Sequence, residues 1–98
     1  MRTVHDNTEQ SRWEITVDEE LAGFADYQKT DDGLVVFTHT EIAPKFEGQG
    51  VGSELIRHAL DDVRRAGLKA LPVCPFVEAW IAKHPDYREL DYRARSDS

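Results

Sequence analysis

Three glycines fall at alternate positions in Phe46-Glu47-Gly48-Gln49-Gly50-Val51-Gly52-Ser53, between an apolar run, Leu34 to Ile42, and a segment of helical periodicity. Glycine lets a backbone turn tightly and bring its N–H groups against a ligand with no Cβ in the way. The helix that follows adds unpaired N–H groups and the positive end of its dipole, so the junction suits a phosphate or pyrophosphate. Two side chains elsewhere have reactive chemistry. Cys74 immediately precedes Pro75, an expected helix start, and a helix N-terminus favours the nucleophilic thiolate. The competing reading of Cys74 is a small buried hydrophobe. His39 is expected on one strand face with Phe37 and Glu41, where it would serve as a base for an incoming ammonium or as a hydrogen-bonded surface histidine.

The details of the loop narrow its ligand. A Walker A loop places Lys before the Ser or Thr that follows its last glycine; Ser53 follows Gly52 directly, which argues against a nucleotide triphosphatase. The dinucleotide fingerprint needs G-x-G-x-x-G, whereas the spacing here is G-x-G-x-G. A net charge of −7 argues against nucleic acid or an anionic membrane as partner. No metal site is expected, because one Cys and four scattered His show no ligand spacing. No run approaches the roughly 20 apolar residues of a bilayer span, and a single cysteine fits a reducing compartment, so the chain is expected to be cytoplasmic.

Ninety-eight residues with 40% hydrophobic and 32% charged content predict one small domain. Residues 1–11 are polar and are expected to form a flexible arm, and 93–98 a tail, around a domain of 12–92. Trp13, Ile15 and Val17 alternate with polar neighbours as in a half-buried strand. Leu21 to Lys29 is a second strand, Asp32-Gly33 a hairpin turn, and Leu34 to Ile42 a third strand. That third strand should show Val35, Phe37, His39 and Glu41 on one face. Leu55, Ile56, Ala59, Leu60, Val63 and Ala66 recur at helical spacing, with Arg57–Asp61 and Asp61–Arg65 as i,i+4 pairs and Gly67 as the stop. Leu68 to Val73 is a buried strand. A second helix starts at Pro75, with Phe76, Val77, Trp80 and Ile81 on its apolar face. The fold class is α+β, with a mixed sheet formed by an antiparallel meander followed by loop-α-β-α. The crossover makes the last strand parallel to the third.

Glu47 to Ser53 resembles the pyrophosphate loop of the GNAT acetyltransferases, Q/R-x-x-G-x-G/A, with Gly50 and Gly52 at the glycine positions and Glu47 in place of Arg or Gln. Pro72-Val73-Cys74-Pro75-Phe76 and Trp80-Ile81 followed by His84-Pro85-Asp86-Tyr87 are similar to a group of very small, single-domain GNAT-like proteins. The resemblance implies acetyl-coenzyme A as donor substrate, bound by Ile42, Gln49, Gly50, Val51, Gly52 and Ser53. It further implies an N-acetyltransferase whose acceptor is an amine, of a protein or peptide, with transfer through Cys74 or by direct attack, for which His39 is the candidate base read above. The larger enzymes carry helices between their first two strands, where Asp18-Glu19-Glu20 leaves space only for a turn. The alternative is a module that holds coenzyme A without chemistry. His84 and Tyr87 are expected to fix the chain after the second helix.

Overall fold

The computed structural model describes residues 1–93, so most of the expected tail, 94–98, lies outside the described residues. Five strands form one sheet in chain order: β1 (Arg2–Asn7), β2 (Arg12–Val17), β3 (Glu20–Lys29), β4 (Leu34–Ile42) and β5 (Lys69–Pro72). The first four are antiparallel neighbours, and β5 lies parallel to β4 after a crossover through α1 (Val51–Arg65). Helix α2 (Pro75–Lys83) and a 3-10 stretch, Pro85–Leu90, follow β5. The expected mixed sheet and loop-α-β-α order are present.

The expected flexible arm is instead a strand. β1 pairs with β2 along its whole length, from Arg2 opposite Val17 to Asn7 opposite Arg12. As an edge strand it contributes little to the core. Val4 packs against the buried cluster, and Asp6 accepts a 2.6 Å hydrogen bond from the Tyr27 hydroxyl. An edge strand satisfied this way needs few apolar residues, so its polar composition hid it.

Helix α1 covers one sheet face. Its buried residues Val51, Leu55, Ile56, Ala59, Leu60 and Val63 meet Trp13, Ile15, Ala25, Tyr27, Val35 and Phe37. The Trp13 ring stacks 5.5 Å from Phe37, and its Nε1 donates 3.0 Å to Asp62 Oδ2, fixing the helix's rotation. At the C-terminus, Gly67 N–H donates to Arg64 and Leu68 N–H to Val63, the two bonds of a Schellman motif with Gly67 at φ +73°. The expected i,i+4 pairs do not form, because tertiary partners take Asp61 and Arg57 and an i,i+3 neighbour takes Arg65. Asp61 accepts from the Tyr87 hydroxyl, Arg57 lies over Trp80 and Tyr87, and Arg65 pairs with Asp62.

The other sheet face carries charge. Glu14 is 8% exposed there, bonded by Arg12 Nε at 2.7 Å, Asn7 Nδ2 at 3.1 Å and His5 Nε2 at 3.2 Å. Burial pushes its pKa up, but the hydrogen bonds from Arg12 and Asn7, with the charges of Arg12 and His5, outweigh it and hold the carboxyl below its ordinary range.

Two outcomes test this frame. Gly67→Ala should cost about 1 kcal/mol through left-handed backbone strain, since no atom lies within 4 Å of the added Cβ; chemical denaturation measures it. Because the folded Glu14 pKa is depressed, its contribution is complete above the unfolded value, about 4.3, and is lost as pH falls through the folded one. Glu14→Gln should therefore flatten the decline of stability below about pH 4.3, read by urea unfolding at a series of pH values.

Candidate functional site

β4 and β5 part early. Their pairs run only from Leu34–Lys69 to Phe37–Pro72, and the final bond is Cys74 N–H to Phe37 O at 2.9 Å. The chain then turns into α2, so the β4 edge from Thr38 to Ile42 has no strand partner on that side among the described residues. The N-terminus of α1 arrives beside this edge. Between them opens a groove of about 480 Å³, walled by Thr40, Glu41 and Ile42 of β4, by Phe46 to Gly48, by Gly50 to Ser53 and by Phe76 of α2.

The loop's glycines serve different ends. Gly48 at φ +80° and Gly50 at φ +77° turn the chain through left-handed conformations into α1. Gly50 is the N-cap residue, no side chain caps the helix, and the first return bond is Glu54 N–H to Gly50 O at 3.1 Å. The N–H groups of Val51, Gly52 and Ser53 thus have no acceptor within the helix. At Gly52 the constraint is space: a Cβ there would stand 2.7 Å from Phe76 Cζ and 3.5 Å from Ile42 Cγ1. Ser53 Oγ accepts a 2.8 Å hydrogen bond from Trp80 Nε1, leaving its own hydrogen to donate. Such a site, a row of free donors ending in an open strand edge, is shaped for an anion joined to a slender extended chain.

Of the residues expected to bind the ligand, Ile42, Gly50, Val51, Gly52 and Ser53 line the groove. Gln49 does not. Its Nε2 donates to Lys45 O at 3.1 Å, and its carbonyl accepts from Arg2. Phe76, read as part of an apolar helix face, is 42% exposed as a groove wall, whereas Val77, Trp80 and Ile81 are buried.

Cys74 and His39 are not brought together. The register steps from Tyr27–Phe37 to Asp26–His39, which leaves Thr38 as an extra residue and breaks the alternation of β4. Thr40, opposite the buried Ala25, consequently joins the face of Phe37. His39 and Glu41 turn to the other face, where His39 Nε2 lies 3.3 Å from Glu41 Oε1 and its ring 6.1 Å from that of Phe24. The expected grouping of His39 with Phe37 is corrected by this bulge. Cys74 caps α2 as expected, but it is 4% exposed and its thiol donates to Thr40 Oγ1 at 3.4 Å. Thr40, not Cys74, forms the groove wall. His84 stacks on Trp80 at 3.7 Å and Tyr87 meets that ring edge-on, both structural as expected.

Sequence reasoning missed Thr40 and Arg2. Thr40 becomes inward only through the bulge, and Arg2 lies in the segment taken for an arm. No group of three His, Cys, Asp or Glu among the described residues could hold a metal ion, and no described helix is long and apolar enough to cross a membrane.

The sequence profile of the GCN5-related N-acetyl-transferase family matches residues 12–90. Protein NATD1 of Gallus gallus is 27% identical over 66 residues, 67% of this chain and 60% of that protein. The Homo sapiens protein of the same name is 29% identical over 59 residues, 60% and 52% of the two chains. The match therefore spans little more than half the length of these relatives. Among solved structures, a GCN5-like protein from Staphylococcus aureus superposes with a TM-score of 0.72 at 22% identity, covering 91% of this chain and 86% of that one. The ribosomal-protein-S18-alanine N-acetyltransferase of Escherichia coli gives 0.68 at 17% identity, covering 85% and 76%. N-acetylglutamate synthase of Neisseria gonorrhoeae, solved with coenzyme A and N-acetyl-glutamate, gives 0.62 at 16%, covering 87% and 23%. These three share the fold. The chain belongs to the GCN5-related N-acetyltransferase family.

Proposed function

We propose that the protein is an acetyl-coenzyme A-dependent N-acetyltransferase acting on an amine of a protein or peptide. The observation that carries this reading is the meeting of the free N–H groups of Val51, Gly52 and Ser53 with the unpaired edge of β4 in one groove. The pyrophosphate lies against those N–H groups and the Ser53 hydroxyl. The pantetheine arm follows Ile42 and Thr40 under Phe76, as an extra strand would, and ends where β4 and β5 part. The neighbour solved with coenzyme A supports the choice of ligand.

The gap between the strands leaves the thioester reachable from the uncovered sheet face, where His39 and Glu41 stand. The neutral amine nitrogen attacks the carbonyl carbon, the C–S bond breaks, and the sulfur leaves as thiolate to be protonated. His39 takes the proton that the ammonium must lose, and Glu41 orients its ring. Direct attack fits better than a covalent route, because the Cys74 thiol is buried behind Thr40 and His39 faces away from it. Only a turn of two residues, Asp18-Glu19, joins β2 to β3, so no wall closes the acceptor side. That openness suits a large acceptor. It also favours the second reading, a module that holds coenzyme A without turnover.

Calorimetry on the purified protein should show coenzyme A binding, with pantetheine much weaker, since each charge-assisted hydrogen bond contributes roughly 1.5–3 kcal/mol. Gly52→Val, which fills the groove toward Phe76, should abolish binding while the folded spectrum persists. No binding at millimolar ligand overturns the reading. Incubation with labelled acetyl-coenzyme A and mixed peptides should transfer label to peptide. His39→Ala should lower the rate by about 10²-fold or more without weakening coenzyme A binding. Cys74→Ala should retain the rate; if it is inactive and the wild type carries an acetyl group on Cys74 by mass spectrometry, the covalent route replaces direct attack. Binding without any label transfer selects the module.

A further inference from the structure

Arg2 reaches from the first strand to the glycine loop. One guanidinium nitrogen, Nη2, donates to the Gln49 carbonyl at 2.8 Å, and the other, Nη1, to Glu54 Oε1 at 3.0 Å. The β1–β2 ladder from Arg2 to Asn7 is made by backbone, so neither bond is needed to form the strand. Both bonds act on the loop instead.

Two consequences follow for an anion in the groove. The peptide bonds are trans, and in a planar trans unit C=O and N–H point in opposite directions. Holding the Gln49 carbonyl on the Arg2 side therefore turns the Gly50 N–H away from it; Gly50 lines the groove and Gln49 does not. The second consequence concerns charge. Glu54 stands in the first turn of α1, where its carboxylate competes with any ligand anion for the helix N-terminus, and Glu47 lines the groove itself. Arg2 is the cation paired with Glu54.

We propose that Arg2 is a positioning residue for the anion loop: it fixes the Gln49–Gly50 peptide with its N–H free for the ligand and neutralises Glu54, which would otherwise repel a pyrophosphate. This rests on the reading of the groove as a coenzyme A site. It assigns β1 a part in ligand binding. It also supplies a guanidinium, from a different element, to a loop that carries Glu47 at its first position.

The test is a double-mutant cycle read by coenzyme A titration, with pantetheine followed in parallel by NMR. Arg2→Met should weaken coenzyme A binding about tenfold, the size of one lost charge-assisted contact, and leave pantetheine unchanged. Adding Glu54→Gln to Arg2→Met should recover about threefold or more, because the uncompensated carboxylate is then gone. Glu54→Gln alone keeps an acceptor for Arg2 while removing the charge, so it should tighten coenzyme A. Should Arg2→Met fail to fold, Arg2→Lys, which keeps the charge but lacks the fork that makes both bonds, should weaken coenzyme A and spare pantetheine, and an unchanged affinity overturns the positioning role. Wild-type binding of coenzyme A with an unchanged Arg2→Met overturns the proposal while sparing the groove. Equal losses for coenzyme A and pantetheine reduce Arg2 to a structural residue, and no recovery in the double variant removes the role of Glu54. A wild type that binds no coenzyme A refutes the groove reading first.

Discussion

Four residue pairs join β4 to β5, and the early end of that parallel ladder is the constraint on which the site depends. Its cause is written in Pro72-Val73-Cys74-Pro75. Pro72 has no N–H to donate, Val73 N–H turns back to Leu71 O at 3.0 Å, and Phe37 O takes its bond from Cys74. Pro75 fits the first turn of a helix, where a missing N–H costs nothing, so α2 begins at once. On the opposing strand, Thr38 is bulged out at the same level. Two strands that would otherwise continue side by side are thereby separated, leaving backbone on β4 that a bound chain can satisfy.

An unpaired edge alone would select nothing. It becomes a site because α1 is held with its N-terminus beside it. The far end of the helix is closed by the Schellman bonds of Gly67 and Leu68, its last turn is held by Trp13 to Asp62, and its start by Trp80 to Ser53. The last bond matters most for chemistry, because it ties α2 to the turn that presents the free N–H groups. The stack of His84 and Tyr87 about Trp80, with Arg57 above, keeps that indole in place. These residues bear on the groove through the position of Ser53.

Much of this was legible in the sequence where one local rule sufficed. Leu55, Ile56, Ala59, Leu60 and Val63 gave α1 by their period, Gly67 its stop, and Gly50 and Gly52 the loop before it. Features decided by pairing left no such mark. The polar run from Arg2 to Asn7 became a strand because β2 offered a free edge and Tyr27 a partner for Asp6. The bulge at Thr38 reversed the faces of His39 and Thr40, since one extra residue shifts a period-two pattern by half its length. The position of Cys74 just before a helix start was read correctly, and of its two readings the structure bears out the small buried residue; its partner Thr40 turns inward only through the bulge.

A chain with a net charge of −7 and a groove proposed to take a polyanion poses an electrostatic conflict. Distance resolves it. At physiological salt the Debye length is about 8 Å, so most of the surface carboxylates are screened from the groove. Hydrogen bonds from Val51, Gly52 and Ser53 act at contact range, where screening does not reach. The charges that matter are therefore the near ones: Glu41 and Glu47 among the residues lining the groove, and Glu54 of the first turn of α1, paired with Arg2. The global field then acts chiefly on encounter, slowing an approaching anion in a way that salt relieves. In the proposed coenzyme A site, residence would be set by the loop, through donors whose direction is fixed by covalent geometry and left-handed glycines rather than by mobile side chains.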